Sequence, residues 1–348
     1  MSRTAIADIR TLSGLANPVL TRGRNSVIPP PGLPDPIHRR IEQRAASNPQ
    51  QIAVIAGGRK VTYCELNSRA NRLARYLRRM MPSPATPVGI FIEPCIGTVV
   101  YLLAALKAGN PYIPLDPDGA AMQTAAMLAE TEAFILLPSE STPACLPARR
   151  ARAISIQSEF ENIECGSTGN LSRGDAESLS RDAFYAFSTG QRAAVSHRAC
   201  LDSMVSFQAS LGVAADWLLS APRPDLALSG MWMLTPLVYG TRLILASGAG
   251  EGVGDELILD QMERSRAVVL RATPGIATAL LNAKWQLRSK LKLIRGAEAW
   301  PDELLKAFDA TGIEVWQLQG TAVNYRLRRN ESGATLPASR AAANGGQA

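Results

Sequence analysis

Residues 88–117 read VGIFIEPCIGTVVYLLAALKAGNPYIPLDP. VGIFIE and PYIPLD are short apolar runs with the length and punctuation of strands, and the segment from Thr98 to Ala108 between them reads as a helix closed by Gly109 and Pro111. Two strands joined through a helix run parallel. Because both runs are apolar on both faces, each face of the resulting sheet must be covered by helices.

The same grammar extends in both directions. Upstream, IAVIA, Gly57-Gly58 and RKVTY predict a hairpin, the glycines supplying the positive φ of a tight turn. Thr62 with Glu65 three residues on is a capping box that opens a helix to about Met80, with Leu66, Ala70, Leu73 and Leu77 as its buried stripe and Arg69, Arg72, Arg75 and Arg79 off it. Downstream, AFILLP, FYAF, WLLSA, TRLILA, AVVLRAT, LKLIRGA and IEVWQLQG predict strands. HRACLDSMVSFQASL, DELILDQMERSR and PDELLKAF predict helices between them.

The fold class expected is therefore α/β, with two stacked, mostly parallel sheets covered by helices. The polar stretch 151–181 predicts a boundary: a first α/β unit over 37–180 and a second over 181–327. Residues 1–36, with six prolines and no periodicity, read as a flexible leader, and 328–348 as a disordered tail. An arginine-rich, acid-poor start also fits an organellar transit peptide, although no cleavage signal accompanies it.

Composition narrows the function classes. The 348 residues are 46% apolar, and no apolar run approaches the roughly 18 residues of a membrane-spanning helix, which predicts no membrane partner. The formal charge of +7 is local: residues 1–79 carry 14 Arg and Lys against Asp8, Asp35, Glu42 and Glu65, a balance of +10, so the remainder sums to −3. Five cysteines without a C-x-x-C pair, and only His38 and His197 beside them, point to reduced thiols in a cytoplasm rather than zinc or disulfides.

The run VTYCELNSRANRLARYL followed by ALKAGNPYIPLDP resembles the first two signatures of amino-acid adenylation domains of non-ribosomal peptide synthetases, members of the AMP-binding, adenylate-forming superfamily. DAFYAFSTGQRAAVSHRA, PLVYGTRLILA, LKLIRGAEAWPDEL and VWQLQG follow in the family's order. The resemblance implies descent from an enzyme that uses ATP and magnesium to convert an amino acid into an aminoacyl-AMP. It also implies a fold like the N-terminal part of adenylate-forming enzymes. The first two signatures are structural, so Tyr63, Lys107 and Asp116 are read as packing, capping and turn residues.

The signatures that carry chemistry depart from the family. Its phosphate loop reads T-S-G-S-T-G-x-P-K-G, a run of small residues whose N–H groups and hydroxyls wrap phosphates beside a lysine. Here Ser188, Thr189 and Gly190 remain, Arg192 is the nearby cation, and about five positions are missing, each worth up to about 3.5 Å of reach. The family's G-G-E is present as Gly296, Ala297 and Glu298; Glu298 reads equally as a pocket residue or as a surface acid before the helix at Pro301. Of N-x-Y-G-P-T-E only Gly320 is retained, and Val323 stands where the magnesium carboxylate belongs. Asp225 is the candidate partner of a substrate ammonium, or else a loop acid beside Pro224.

Nothing after Asn324 resembles the family's hinge aspartate or its mobile C-terminal domain with a catalytic lysine. The expectation is a truncated, degenerate relative with no catalytic residue of its own and no metal site, unable to form the adenylate alone. Neither ATP nor magnesium is expected to bind as in the family. Two alternatives keep the family relation: a docking or assembly protein among peptide-synthetase modules, and the N-terminal half of a split enzyme. A third, a basic nucleic-acid binder, rests on Arg69, Arg72, Arg75, Arg78 and Arg79 with Arg39, Arg40 and Arg44, against which stands the absence of any aromatic platform.

Overall fold

A computed structural model describes residues 36–83, 86–117, 119–129, 131, 133–137, 152–172, 182–188, 191–211, 217–219, 226–245, 269–282, 291–295, 299–321 and 324–329. The predicted leader before residue 36, the predicted helix over 255–266 and the tail from residue 330 lie outside the described residues.

The larger sheet contains β1 (Ile52–Ala56), β2 (Arg59–Thr62), β9 (Trp217–Leu219), β10 (Leu243–Leu245), β11 (Val269–Arg271), β12 (Lys292–Arg295), β13 (Glu314–Thr321) and β14 (Asn324–Arg329). They lie in the order β14-β13-β12-β11-β9-β10-β1-β2. The smaller sheet orders β3 (Val88–Phe91), β4 (Tyr112–Leu115), β5 (Phe134–Leu137), β6 (Arg152–Ser155), β7 (Asp182–Ser188) and β8 (Gln191–Ser196) as β6-β5-β3-β4-β7-β8. Pairing is parallel except at three hairpins on the sheet edges, β1/β2, β13/β14 and β7/β8.

Sheet membership does not follow the expected boundary at 180/181. β1 and β2 join the larger sheet through the parallel register of Val54 with Leu243, while β7 and β8, which follow the boundary, extend the smaller one. Within the polar stretch 151–181, RAIS forms β6, paired with β5, and FENIE forms the short α5 (Phe160–Glu164), while residues 173–181 lie outside the described residues. β14 also carries regular structure to Arg329, two residues past the expected end of the second unit.

Between the sheets lies a layer of helices, α1 (Ile37–Ser47), α2 (Tyr63–Met80), α3 (Ile96–Ala108), α6 (His197–Leu211) and α7 (Leu226–Val238). α3 touches β1 of one sheet and β3 and β4 of the other; α7 touches β10 on one side and β4 and β7 on the other. A helix covered on both sides must be apolar nearly all round, and IGTVVYLLAALKA is. α8 (Pro274–Asn282) and α9 (Asp302–Thr311) cover the outer face of the larger sheet, Phe308 and Trp300 packing with Leu270, Leu293 and Val315. α4 (Ala121–Ala129) covers the outer face of the smaller sheet through Leu128.

The local devices read from sequence are present. Gly57 and Gly58 turn at φ 54° and 76°. Thr62 N–H donates to Glu65 Oε2 at 2.8 Å, and Glu65 N–H donates to Thr62 Oγ1 at 3.2 Å. Signature residues are structural. Tyr63 is buried and its hydroxyl donates to the Thr241 carbonyl at 2.8 Å. Tyr112 stacks on Phe184 at 5.2 Å, and a Cβ at Gly230 would lie 2.6 Å from its hydroxyl, so α7 crosses β4 where only glycine fits. Lys107 is buried against Glu42, whose other oxygen accepts from Arg39 Nη1 at 2.8 Å. The Asp116 carbonyl accepts from Gly119 N–H at 3.1 Å, closing a turn.

Both histidines are buried where α1 meets α6. Ile37 N–H donates to His197 Nδ1 at 3.4 Å, and the two imidazoles meet edge to face with centroids 6.0 Å apart. Burial pushes His197 down to about 4 and holds His38 well below the usual imidazole range, with His197, Lys107, Arg39 and Arg78 adding repulsion at His38. An imidazole kept neutral when folded but free to protonate when unfolded gives stability that is complete above pH 6.5 and is lost as pH falls toward the folded value. For His197 alone the full loss is on the order of 3 kcal/mol. The urea midpoint is therefore expected to fall between pH 7 and pH 5, above the range where carboxylates titrate. An unchanged midpoint over that window would contradict the assignment.

Candidate functional site

The residues matched to a phosphate loop fall on the β7/β8 hairpin at the edge of the smaller sheet. Phe187 pairs with Arg192 and Ser188 with Gln191, so only Thr189 and Gly190 separate the paired strands. Arg192 is thus a strand residue, registered opposite Phe187. Its neighbours Gln191 and Ala193 are likewise in the ladder. A wrap around phosphate needs a run of N–H groups outside strand pairing; here two residues lie outside it. Thr189 and Gly190 themselves lie outside the described residues, as do Asp225, immediately before α7, and Gly296, Ala297 and Glu298, immediately after β12.

Gly320 lies in β13, and the register places Tyr325 opposite it and Asn324 opposite Thr321. The fifth signature is therefore a second tight hairpin, with Ala322 and Val323 between the paired ends. α6, which follows β8 directly, packs on β14 and so ties the two hairpins through one helix.

Two residues missed by sequence reasoning stand at the carboxyl ends of adjacent parallel strands, where ligands of such sheets gather. Arg271 ends β11 and Arg295 ends β12, at 7% and 4% exposure, an unusual burial for arginine. Arg271 registers with Ile294, so Arg271 and Arg295 face opposite sides of the sheet. Arg295 Nη2 donates to Gln317 Oε1 at 2.7 Å, its cross-strand partner in β13, and so fixes the first residue of the stretch matched to the fifth signature. The signal in the sequence was a repeated pattern, an apolar run ended by arginine in VVLR and KLIR. Chemically this edge offers buried guanidinium charge. Among the described residues no group of three or more His, Cys, Asp and Glu side chains is placed to hold a metal ion.

Six of the eight arginines behind the nucleic-acid reading are engaged within the chain. Arg72 pairs with Glu164 at 2.5 Å, and Arg75 Nη1 donates to the carbonyls of Ser167 and Gly169, each at 2.8 Å. Arg78 reaches the Ala108 carbonyl and Arg79 that of Asn162, at 3.3 and 3.4 Å; Arg39 and Arg44 reach the Leu171 and Val238 carbonyls, each at 3.4 Å. With Asn71 donating to the Thr168 carbonyl at 2.7 Å, this face of α2 is a clamp on the chain after α5. Charge spent on internal carbonyls is directional and partly covered, which removes the open cationic stripe that phosphate binding uses. No helix of the described residues is long and apolar enough to cross a membrane.

Comparison with known proteins places these features. The profile of the family described as AMP-binding enzyme matches residues 41–322. Bacitracin synthase 3 of Bacillus licheniformis is 30% identical over 279 residues, 78% of this chain and 4% of that protein. Tyrocidine synthase 3 of Brevibacillus parabrevis is 29% identical over 282 residues, 79% of this chain and 4% of that protein. The chain thus spans a small part of these relatives. Among solved structures, Klebsiella oxytoca NpsA in complex with 3-hydroxyanthranilyl-AMSN superposes with a TM-score of 0.73 at 18% identity, covering 88% of this chain and 62% of that one. The NpsA N-terminal subdomain does so with 0.69 at 18%, covering 85% and 79%. The architecture is that of the N-terminal part of adenylation enzymes.

Proposed function

Because this chain belongs to the AMP-binding enzyme family, we propose that it is an adenylation-domain-like protein of the peptide-synthetase type that does not by itself form an aminoacyl adenylate. The observation that carries this reading is the pairing of Ser188 with Gln191. In the adenylating reaction a carboxylate oxygen attacks the α-phosphorus of ATP and pyrophosphate leaves, so negative charge grows on oxygens that need donors, a cation and a magnesium ion. A two-residue connection leaves few N–H groups outside strand pairing, and Val323 brings no oxygen to a metal. Ser188, Thr189, Gly190, Arg192, Gly296, Ala297, Glu298 and Gly320 are then remnants of a nucleotide site, and Asp225 a remnant of an ammonium site.

The partners that fit are other peptide-synthetase modules, since the relatives are large synthases of which this chain matches a single portion. A cytoplasmic setting fits the free thiols of Cys64, Cys95, Cys165 and Cys200. Titration of the chain with ATP and magnesium in a calorimeter tests the reading. The expected result is no saturable heat with millimolar nucleotide. Binding in the micromolar range, abolished by Arg192→Ala, would show that the short hairpin still holds phosphate and would overturn it.

A further inference from the structure

α1 and α6 start against each other, and each carries a histidine in its first turn. Pro36, the residue before α1, makes no side-chain cap, so the first N–H of that helix depends on an acceptor distant in sequence: Ile37 N–H donates to His197 Nδ1 at 3.4 Å. An imidazole nitrogen accepts such a bond only while it carries no proton itself. His38 lies edge-on to His197, and its own Nδ1 meets no hydrogen-bond partner among the described residues. Both rings are buried, His38 at 2% exposure and His197 at 9%.

The surroundings do not welcome a further cation. Two helix N-termini direct their partial positive charge at the joint. His38 is faced by His197 from α6, Lys107 from α3, Arg39 from α1 and Arg78 from α2. Glu42, the acid of this cluster among the described residues, holds Lys107 through one oxygen and Arg39 through the other. Along α6 the next titratable group is Cys200, whose thiol burial keeps protonated. The rest of α1 is anchored without the imidazoles: Glu42 bridges to Lys107, Arg44 Nε donates to the Val238 carbonyl at 3.4 Å, and Gln51, just past the helix, donates to the Gly240 carbonyl at 2.7 Å. Its first turn can therefore leave α6 without taking the helix with it.

We propose that the α1–α6 joint is an acid-released latch: protonation of His197 removes the acceptor of Ile37 N–H and sets a cation against His38 and two helix N-termini, so the first turn of α1 detaches while both sheets stay folded. The joint sits where β8 passes directly into α6, so its opening reaches the β7/β8 hairpin whether or not that hairpin binds nucleotide. The test is hydrogen–deuterium exchange of the full chain, corrected for intrinsic rates, at pH 7 and pH 5 with and without sub-denaturing urea. Protection of the amides of residues 37–41 is expected to fall about tenfold or more between the two pH values. At pH 5 these amides are expected to exchange by a local opening that urea does not accelerate, while those of residues 99–106 in α3 follow global unfolding. Unchanged protection at 37–41, or the same rate and urea dependence as α3, would overturn the proposal. His38→Gln/His197→Asn, in which an amide oxygen replaces the imidazole acceptor and neither residue titrates, is expected to be protected equally at both pH values; a tenfold fall in this variant would also overturn it. Because the chain has two histidines, their Cε1–H signals report protonation in the unsubstituted protein and are expected to move in step with the loss of protection. Protonation of His197 with residues 37–41 still protected would contradict the latch even if the variant does not fold.

Discussion

Glu42→Gln is expected to lower the stability of the fold by about 3–5 kcal/mol, because it leaves Lys107 buried without its countercharge. The pair joins the middle of α1 to the last turn of α3, two helices of the layer between the sheets, and the Lys107 side chain is fully covered. Burial already lowers Lys107 to about 8, against the raising effect of Glu42. With glutamine there, an ammonium must stay desolvated beside the Arg39 guanidinium or give up its proton, and both routes destabilise. Replacing both partners by apolar residues of similar size, Glu42→Leu with Lys107→Met, is expected to recover most of the loss, since the desolvation that makes a broken pair so costly is then removed. Urea unfolding checks both: the midpoint shifts with the slope unchanged. A single variant within 1 kcal/mol of the parent would mean that water reaches the pair.

Trp232→Ala is expected to destabilise by a similar amount, about 3–5 kcal/mol. Trp232 is 1% exposed in the middle of α7 and stacks on Phe207 of α6 with centroids 4.8 Å apart and planes 4° apart. That contact helps fix α6 to α7, and α6 is the helix that links β8 to β14. Trp232→Phe keeps a ring against Phe207 and is expected to lose less than half as much. If alanine and phenylalanine unfold at the same urea concentration, a ring retained against Phe207 contributes nothing and the expectation fails.

How much of this was legible depended on whether a segment's own pattern had to match its burial. The 88–117 stretch did, because a parallel strand covered on both faces and a helix covered all round can only be apolar. α2 announced itself through Thr62 and Glu65, and α6 occupies the very residues 197–211 that its amphipathic pattern marks. Of the edge strands, β2 was legible through its Gly57-Gly58 turn, and β6, β8 and β14 were not. QRAAVS and NYRLRR became β8 and β14 because a hairpin partner supplied the pairing, and an edge strand needs no apolar run of its own. The polar RAIS became β6 at the other edge of the smaller sheet, paired in parallel with β5. The site was legible in place but not in geometry. A shortened loop can be counted from sequence, yet only the register shows that Arg192 is drawn into the ladder. Arg271 and Arg295 were passed over because an arginine at the end of an apolar run also reads as the point where a strand leaves the core.

The clamp on α2 alters the meaning of the basic N-terminal part. Arg72, Arg75, Arg78 and Arg79 hold carbonyls and Glu164 of the same chain. Part of the local charge excess is therefore structural, while Arg59, Lys60 and Arg69 are exposed.

The central claim, that this member of the AMP-binding enzyme family does not make an aminoacyl adenylate on its own, is tested most directly by amino-acid-dependent exchange of labelled pyrophosphate into ATP. The purified chain is supplied with magnesium and each proteinogenic amino acid in turn. No exchange above the protein-free control is predicted for any of them. Exchange that depends on one amino acid and is lost in Arg192→Ala would contradict the account.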